Sequence, residues 1–200
     1  MKHLIIFAHP DSEKSFNAAI LQKVVATSQK HGIDTQVRDL YRLGFNPILS
    51  AEELVGSKNA EVPEDIKQEQ QLIDSADLIT LIYPLWWMGY PAILKGYLDR
   101  ILSHGFAYKT ENGKSVGLLF GKKMQQFITI GNKEEKYQAL GFDQSLRDCL
   151  VDGLFNFCGI EDIQHQLLGN IHGLSYEERQ TLLDKVESQT EQNIISLMEQ

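Results

Sequence analysis

Residues 2–17 have the sequence KHLIIFAHPDSEKSFN, and they indicate the class of the fold. The segment Lys2–Ala8 is an apolar run of strand length, which is typical of a strand buried on both faces of a parallel sheet. A polar loop follows, and from Phe16 to Lys30 the apolar side chains recur at helical spacing. A buried strand that leads through a polar loop into a helix predicts the first unit of an α/β sheet.

Strand and helix patterns continue to alternate along the rest of the chain. Four more strands are predicted, at Asp34–Leu40, Asp77–Tyr83, Lys123–Ile130 and Ile163–Leu168. Further helices are predicted at Pro63–Ala76, Pro91–Leu102, Ser145–Phe157 and from Ser175 to about Met198. Residues 43–62 are predicted to form a long irregular connection. We therefore expect one α/β domain over residues 1–200, with a doubly wound five-stranded parallel sheet of flavodoxin-like order 2-1-3-4-5.

The length and composition argue against several classes of protein. The 200 residues suit one domain, and 42% of them are hydrophobic, which is enough for a sizeable core. A net charge of −8 argues against general binding to nucleic acids or anionic membranes. No apolar run approaches the roughly 18 residues of a membrane-spanning helix, and the chain starts with a strand rather than a signal peptide, so a cytoplasmic location is expected. Cys149 and Cys158 are too few for a disulfide scaffold and are expected to be core thiols.

Ligands of doubly wound sheets bind beyond the carboxyl ends of the strands, which selects three loops at residues 9–17, 84–91 and 131–143. The first loop leads into a helix N-terminus, where backbone N–H groups could hold a phosphate together with Lys14, Asn17 and nearby serine hydroxyls. Ordinary helix capping by Ser15 or Asn17 is the alternative. The sequence contains no Gly-x-Gly-x-x-Gly fingerprint of dinucleotide-binding domains.

The second loop, Pro84–Pro91, carries two adjacent tryptophans, Trp86 and Trp87. Large aromatic surface in a loop suits a planar ring system, and Gly89 would let a ligand approach the backbone. A hydrophobic plug or a subunit contact is the alternative. The third loop begins at Thr129-Ile130-Gly131-Asn132, whose N–H groups could bond the polar edge of such a ring. The histidines show no metal-ligand spacing, so no metal site is expected.

A series of short segments, spread from residue 3 to about residue 170, carries a family resemblance. The segments are His9-Pro10, Ser15-Phe16-Asn17, Asp39-Leu40-Tyr41, Phe45-Asn46-Pro47-Ile48, Ala76–Ile79, Pro84–Gly89, Pro91–Gly96, Gly105–Tyr108 and Phe157-Cys158-Gly159. Together and in this order, they resemble the NAD(P)H:quinone oxidoreductase family of flavodoxin-like flavoproteins. Any one segment alone would be unspecific, whereas the ordered set is highly specific.

The resemblance implies a homodimeric enzyme that passes two electrons, as a hydride, from NADH or NADPH through a flavin to a quinone or a similar acceptor by ping-pong kinetics. It implies cofactor binding by His9, Lys14, Ser15, Phe16, Asn17, Pro84, Leu85, Trp86, Trp87, Met88, Thr129, Ile130, Gly131, Asn132 and Tyr137. Tyr137 and Tyr108 are expected to be catalytic. The substrate is expected to contact Trp87, Tyr108 and Phe157, and the last two match family residues that reach the partner subunit's site.

FAD is expected rather than FMN, because the segment Phe45–Val62 resembles an insert that helps to enclose the adenine end in FAD-dependent members. The chain departs from the family pattern at three places: Ile130-Gly131-Asn132 in the third loop, Thr110, and Asp143 in place of a histidine. We expect Asp143 to cap the helix predicted from Ser145. Two alternatives to the enzyme are a flavodoxin-type electron carrier and a flavin-binding regulatory subunit of a membrane transporter.

Overall fold

The computed structural model describes residues 1–56 and 61–199, which contain a central parallel sheet and a separate hairpin. The strands are β1 (Lys2–Phe7), β2 (Asp34–Asp39), β3 (Leu78–Pro84), β4 (Tyr108–Glu111), β5 (Lys114–Gly117), β6 (Lys123–Thr129) and β7 (Asp162–Leu168). The sheet has the order β2-β1-β3-β6-β7, and all of its pairs are parallel. This confirms the predicted order, with β6 and β7 as the fourth and fifth core strands.

Helices cover both faces of the sheet. They are α1 (Phe16–Lys30), α2 (Ala51–Gly56), α3 (Glu64–Ser75), α4 (Ala92–Ile101), α5 (Glu134–Ala139), α6 (Phe142–Arg147) and α7 (Tyr176–Met198), together with a π-helix at Asp148–Asn156. One apolar layer lies between the sheet and the helices α1 and α7. The other lies between the sheet and α3, α4 and the π-helix. Ser175 and Glu178 form the predicted capping box of α7. None of the helices in the described ranges is both long and apolar enough to span a membrane.

The layer under α1 and α7 contains a buried polar network around His3. Its Nδ1 atom lies 2.7 Å from Ser28 Oγ, and its Nε2 atom lies 2.6 Å from Thr80 Oγ1. Thr80 also accepts a hydrogen bond from Gln125, which in turn is bonded by Asn193 of α7. Burial lowers the pKa of His3 to about 3. The network therefore holds a neutral imidazole, which couples the strands to the helices that cover them.

The connection after β2 differs from the irregular segment predicted for residues 43–62. It contains α2, which starts with reciprocal hydrogen bonds between Ser50 and Glu53. Arg100 of α4 is buried, and it bonds the Glu53 carboxylate at 2.7 Å and the Asn46 carbonyl at 2.9 Å. A charged residue that is satisfied in this way anchors the connection to α4. Residues 57–60 of the predicted segment lie outside the described residues.

A glycine at position 96 lets this connection lie directly on α4. A side chain at Gly96 would overlap the carbonyl oxygen and the ring of Pro47. We expect Gly96→Ala to lower the free energy of unfolding by about 2 kcal/mol, because the clash outweighs the better helix propensity of alanine. Urea unfolding measures the change. Gly89→Ala is the matched control, since nothing lies within 4 Å of a Cβ placed there, and a similar loss in both variants would contradict the argument.

Other predictions made from the sequence need correction. Neither the β4–β5 hairpin nor α5 (Glu134–Ala139) was predicted. The helix predicted at Ser145–Phe157 begins earlier, at Phe142, and continues as a π-helix from Asp148. Cys158 is buried as expected, whereas Cys149 is exposed because it lies on the outer side of the π-helix.

Candidate functional site

The carboxyl ends of β1, β3 and β6 lie side by side, which brings the three predicted loops together. The backbone N–H of Leu85 donates to the Thr129 carbonyl at 2.9 Å, so the second and third loops leave the sheet as a pair. The side-chain amide of Asn17 donates to Thr129 Oγ1 at 2.9 Å, which ties the first loop to them. The sheet order therefore assembles one surface from segments more than a hundred residues apart.

The first loop caps its own helix. Ser15 Oγ accepts a hydrogen bond from the Ala18 N–H and donates one to the Asp11 carbonyl. The Asp11 carboxylate accepts from the N–H groups of Lys14 and Glu13, and these bonds lower the pKa of Asp11. The capping interpretation is thus correct for Ser15. The N–H groups in the first turn of a helix have no intrahelical acceptor, so Phe16 and Asn17 are the groups that face an incoming anion.

Asn17 has an unusual arrangement for a buried amide. The residue is 1% exposed, and its Nδ2 atom bonds Thr129, but its Oδ1 atom has no hydrogen-bond partner in the described part of the chain. A buried acceptor without a partner costs about 1–3 kcal/mol. A ligand hydroxyl at this position would supply the missing donor. The residues here thus fit a group that carries both hydroxyls and a phosphate, as the side chain of a flavin does.

The second loop forms a tight turn at Trp86–Gly89. Trp86 and Gly89 exchange two backbone hydrogen bonds, and the two residues between them have left-handed conformations, with φ of 51° at Trp87 and 61° at Met88. Bulky residues in this region cost about 1–2 kcal/mol each, and such strain is common at functional sites. The Trp87 side chain is fully exposed, so its ring is free to lie against a ligand.

His9 lies beside this turn at the end of β1. Its Nδ1 atom accepts a hydrogen bond from the Asp11 N–H at 3.0 Å, and its ring centre lies 6.3 Å from that of Trp86. The same Nδ1 atom also lies 3.0 Å from the Asp11 carbonyl, so the ring contacts the Asp11 backbone in either tautomer. His9 therefore lies at the junction of the first two loops.

The third loop offers fewer free groups than the sequence suggests. The N–H of Ile130 donates to the Leu168 carbonyl at 3.0 Å. This N–H group is therefore not available to bind a ligand. Gly131 and Asn132 are exposed. The His172 ring packs close to this loop, 3.6 Å from where a Cβ of Gly131 would be. The contact of His172 with residue 131 could not be predicted, because nothing in the local sequence pattern links the two.

Tyr137 lies on α5 and packs its ring edge-on against Phe142, with 5.9 Å between the ring centres. The expected capping role of Asp143 is wrong. Gly141, with φ of 69°, occupies the N-cap position of α6, and Asp143 falls inside the first helical turn. The Asp143 side chain instead lines a cleft of about 280 Å³ together with His165.

Tyr108 and Phe157 lie together, with ring centres 5.2 Å apart, but they do not join the three loops of their own chain. Tyr108 follows Ala107, whose carbonyl bonds Leu118, and Leu118 also bonds Cys158. These segments lead into the N-terminal ends of β6 and β7, and a seven-residue strand separates its two ends by about 20 Å. The pair therefore belongs to the opposite edge of the sheet.

Tyr108 also contributes to the wall of a cavity of about 110 Å³ between α2 and α4. Within residues 1–56 and 61–199, no three His, Cys, Asp or Glu side chains converge in a way that could hold a metal ion.

Comparison with known proteins finds relatives over the whole chain. A family model described as a flavodoxin-like fold matches residues 1–194. A protein from Haemophilus influenzae, named as an uncharacterized NAD(P)H oxidoreductase, is 55% identical over 200 residues, which are 100% of this chain and 99% of the relative. The mouse (Mus musculus) ribosyldihydronicotinamide dehydrogenase (quinone) is 31% identical, over 91% of this chain and 87% of the relative. The solved structure of an NAD(P)H:quinone oxidoreductase from Methanothermobacter marburgensis superposes with a TM-score of 0.85, at 30% identity, and covers 96% of each chain.

Proposed function

The chain belongs to the flavodoxin-like family of NAD(P)H:quinone oxidoreductases, and from this premise we propose that it binds a flavin and transfers two electrons from NADH or NADPH to a quinone or a similar acceptor. The observation that carries the proposal is the buried Asn17 amide, which ties two loops together and retains an unpartnered oxygen at their junction. Bound flavin would supply the redox chemistry, since it accepts a hydride from a nicotinamide and passes electrons to a second substrate.

The first loop would hold the phosphate end of the cofactor. The N-terminus of α1 presents backbone N–H groups and a favourable dipole for an anion, and the exposed Lys14 adds a positive charge. Ser15 would support phosphate binding indirectly. Its hydroxyl already bonds the Asp11 carbonyl and the Ala18 N–H, and these bonds hold the loop in shape. Asn17 would accept a hydrogen bond from a ribityl hydroxyl.

The Trp86–Gly89 turn would hold the ring. Trp87 offers an exposed aromatic face at the tip of the turn, where it and Met88 have left-handed conformations. On the other side, the Gly131 N–H and the Tyr137 hydroxyl would donate to the polar edge of the ring and stabilise negative charge there.

A homodimer would complete the site. Tyr108 and Phe157 lie at the opposite edge of the sheet from the loops of their own chain, so any substrate pocket that they line would belong to a second copy. Phe157 is 46% exposed, as a residue that packs against a partner would be in a single chain. We propose FAD as the cofactor, on the resemblance of the segment that begins at Phe45, and a cytoplasmic location.

Anaerobic titration of the purified protein with NADH and with NADPH tests the function. A quinone oxidoreductase is expected to lose its flavin absorbance completely with one equivalent of nucleotide and to regain it on addition of a quinone. A flavodoxin-type carrier would not be reduced by the nucleotide alone, and a regulatory subunit would purify with a membrane partner. Heat release of the cofactor followed by chromatography distinguishes FAD from FMN.

Substitutions of Tyr137 and of Asp143 are expected to have different effects on the rate of flavin reduction. We expect Tyr137→Phe to slow the reduction of the flavin by NAD(P)H about 10-fold, because one hydrogen bond to developing negative charge is lost. Asp143→Asn should leave that rate within about twofold, since Asp143 lines a cleft with His165 rather than the ring. Stopped-flow absorbance measures both rates. A large loss in Asp143→Asn, with unfolding unchanged, would restore an acid or base role to residue 143.

A further inference from the structure

Tyr90 links the Trp86–Gly89 turn to the π-helix. It directly follows that turn, its ring packs 5.0 Å from that of Tyr83, and its hydroxyl donates to the carbonyl of Leu150 at 2.8 Å. Leu150 lies in the first turn of the π-helix, sixty residues further along the chain. The same carbonyl accepts a second hydrogen bond from the side chain of Gln126 at 3.3 Å, and the Tyr83 hydroxyl holds Gln126 in place.

These two donors stabilise an unusual winding. Asp148–Asn156 forms nine π-helical residues, whereas π-helices occur mostly as single turns within α-helices and often at functional sites. Each turn of a π-helix contains more residues than an α-helical turn. A return to α-helical winding would therefore rotate the residues after Leu150 relative to those before it. The two hydrogen bonds to the Leu150 carbonyl are made while the segment has its π-helical winding.

The far end of this segment carries Phe157. The residue follows the π-helix directly and contacts Tyr108 at the opposite edge of the sheet. Its direction depends on how the preceding nine residues are wound. The chain of contacts therefore runs from the turn that carries Trp87, through Tyr90 and Leu150, to Phe157.

We propose that Tyr90 is a positioning residue that couples the Trp86–Gly89 turn to Phe157 by holding the π-helical winding of Asp148–Asn156. The inference rests on the proposed function, in which the turn contacts the flavin and Phe157 lines the acceptor pocket of a second copy. Flavin bound at the turn of one copy then sets the position of Phe157 in the acceptor pocket of the second copy. A discrete element that both ends can bias is the physical requirement for such coupling.

The titration state of Tyr90 does not limit this role. Burial raises the pKa of Tyr90, and it raises the pKa of Tyr83 well above its usual value. Both hydroxyls therefore remain protonated donors across the pH range in which the protein would be assayed.

The test places 4-fluorophenylalanine at position 157 of the full chain and follows its ¹⁹F resonance when FAD, or FMN in parallel, is added to the flavin-free protein. We expect flavin to shift the resonance in the otherwise unchanged protein, in part directly, because Phe157 would lie beside the flavin of a second copy. We expect Tyr90→Phe to remove the part of the shift that is transmitted through the π-helix. In steady-state assays, Tyr90→Phe should raise the KM for the quinone about 5-fold. The rate of flavin reduction by NAD(P)H should stay within twofold of the unmodified protein.

Tyr97→Phe is the matched control. Its hydroxyl is also buried and donates to Glu69 at 3.0 Å, but it lies on α4 and has no bond to the π-helix. This variant should retain the full ¹⁹F shift and the original KM. A full shift in Tyr90→Phe, or no shift in the unmodified protein with flavin bound, would overturn the coupling. If the protein binds neither FAD nor FMN, the proposed function fails and the coupling fails with it, and that outcome is recognised by the absence of flavin binding itself.

Discussion

Lowering the pH from 7 to 4 is expected to reduce the free energy of unfolding by about 3 kcal/mol through His3 alone. Burial lowers the pKa of this histidine from 6.5 to about 3 in the folded protein. As the pH falls below 6.5 the unfolded chain takes up a proton on His3, whereas the folded chain does not until the pH approaches 3. The stability that the neutral ring contributes is therefore present above pH 6.5 and is lost progressively below it.

Urea unfolding of the protein and of His3→Asn across this pH range measures the effect. Asparagine retains a donor and an acceptor for Ser28 and Thr80 but does not titrate, so the variant should lose about 1.4 kcal/mol less per pH unit between pH 6 and 4. His165→Asn should remove a separate contribution, because burial and the nearby Arg147 lower the pKa of His165 to about 4. Equal pH slopes for His3→Asn and the unmodified protein would contradict the assignment.

The central sheet could be predicted because its signal is local. The strands β1 and β3 are continuous apolar runs, and burial on both faces is what such runs indicate. The hairpin was missed although Asn112-Gly113, both with left-handed conformations, is a strong signal for a two-residue hairpin turn. Its strands are short and largely polar, so the alternation that identifies a strand was weak.

Features that depend on distant residues could not be predicted. The π-helix accepts hydrogen bonds from Tyr90 and Gln126, and these distant partners cannot be inferred from the periodicity of the segment itself. Similarly, the sequence showed the aromatic residues of the second loop but not their left-handed turn, because bulky residues rarely adopt positive φ. The pairing of Asn17 with Thr129 follows from the order of the strands rather than from either loop.

Replacing Asn17 by leucine should weaken cofactor binding while it leaves the stability of the fold nearly unchanged. We expect Asn17→Leu to weaken the binding of FAD and of FMN about 100-fold, because the variant loses both the hydrogen-bond acceptor and the tie to Thr129. The free energy of unfolding of the flavin-free protein should change by less than about 1 kcal/mol, since removal of the unpartnered Oδ1 offsets the lost bond. Fluorescence titration with flavin and urea unfolding measure the two quantities.

Asn193→Leu provides the contrast, because Asn193 is equally buried and its amide nitrogen makes two hydrogen bonds. Its amide donates to Gln125 at 2.8 Å and to Gln164 at 3.0 Å within the network around His3. This variant should lose about 2 kcal/mol of stability and bind flavin with unchanged affinity. The two variants are expected to differ because Asn17 has an unpartnered oxygen beside the three loops, whereas the amide nitrogen of Asn193 makes two bonds within the core. If Asn17→Leu destabilises the protein as Asn193→Leu does and still binds FAD normally, the first loop does not hold the cofactor.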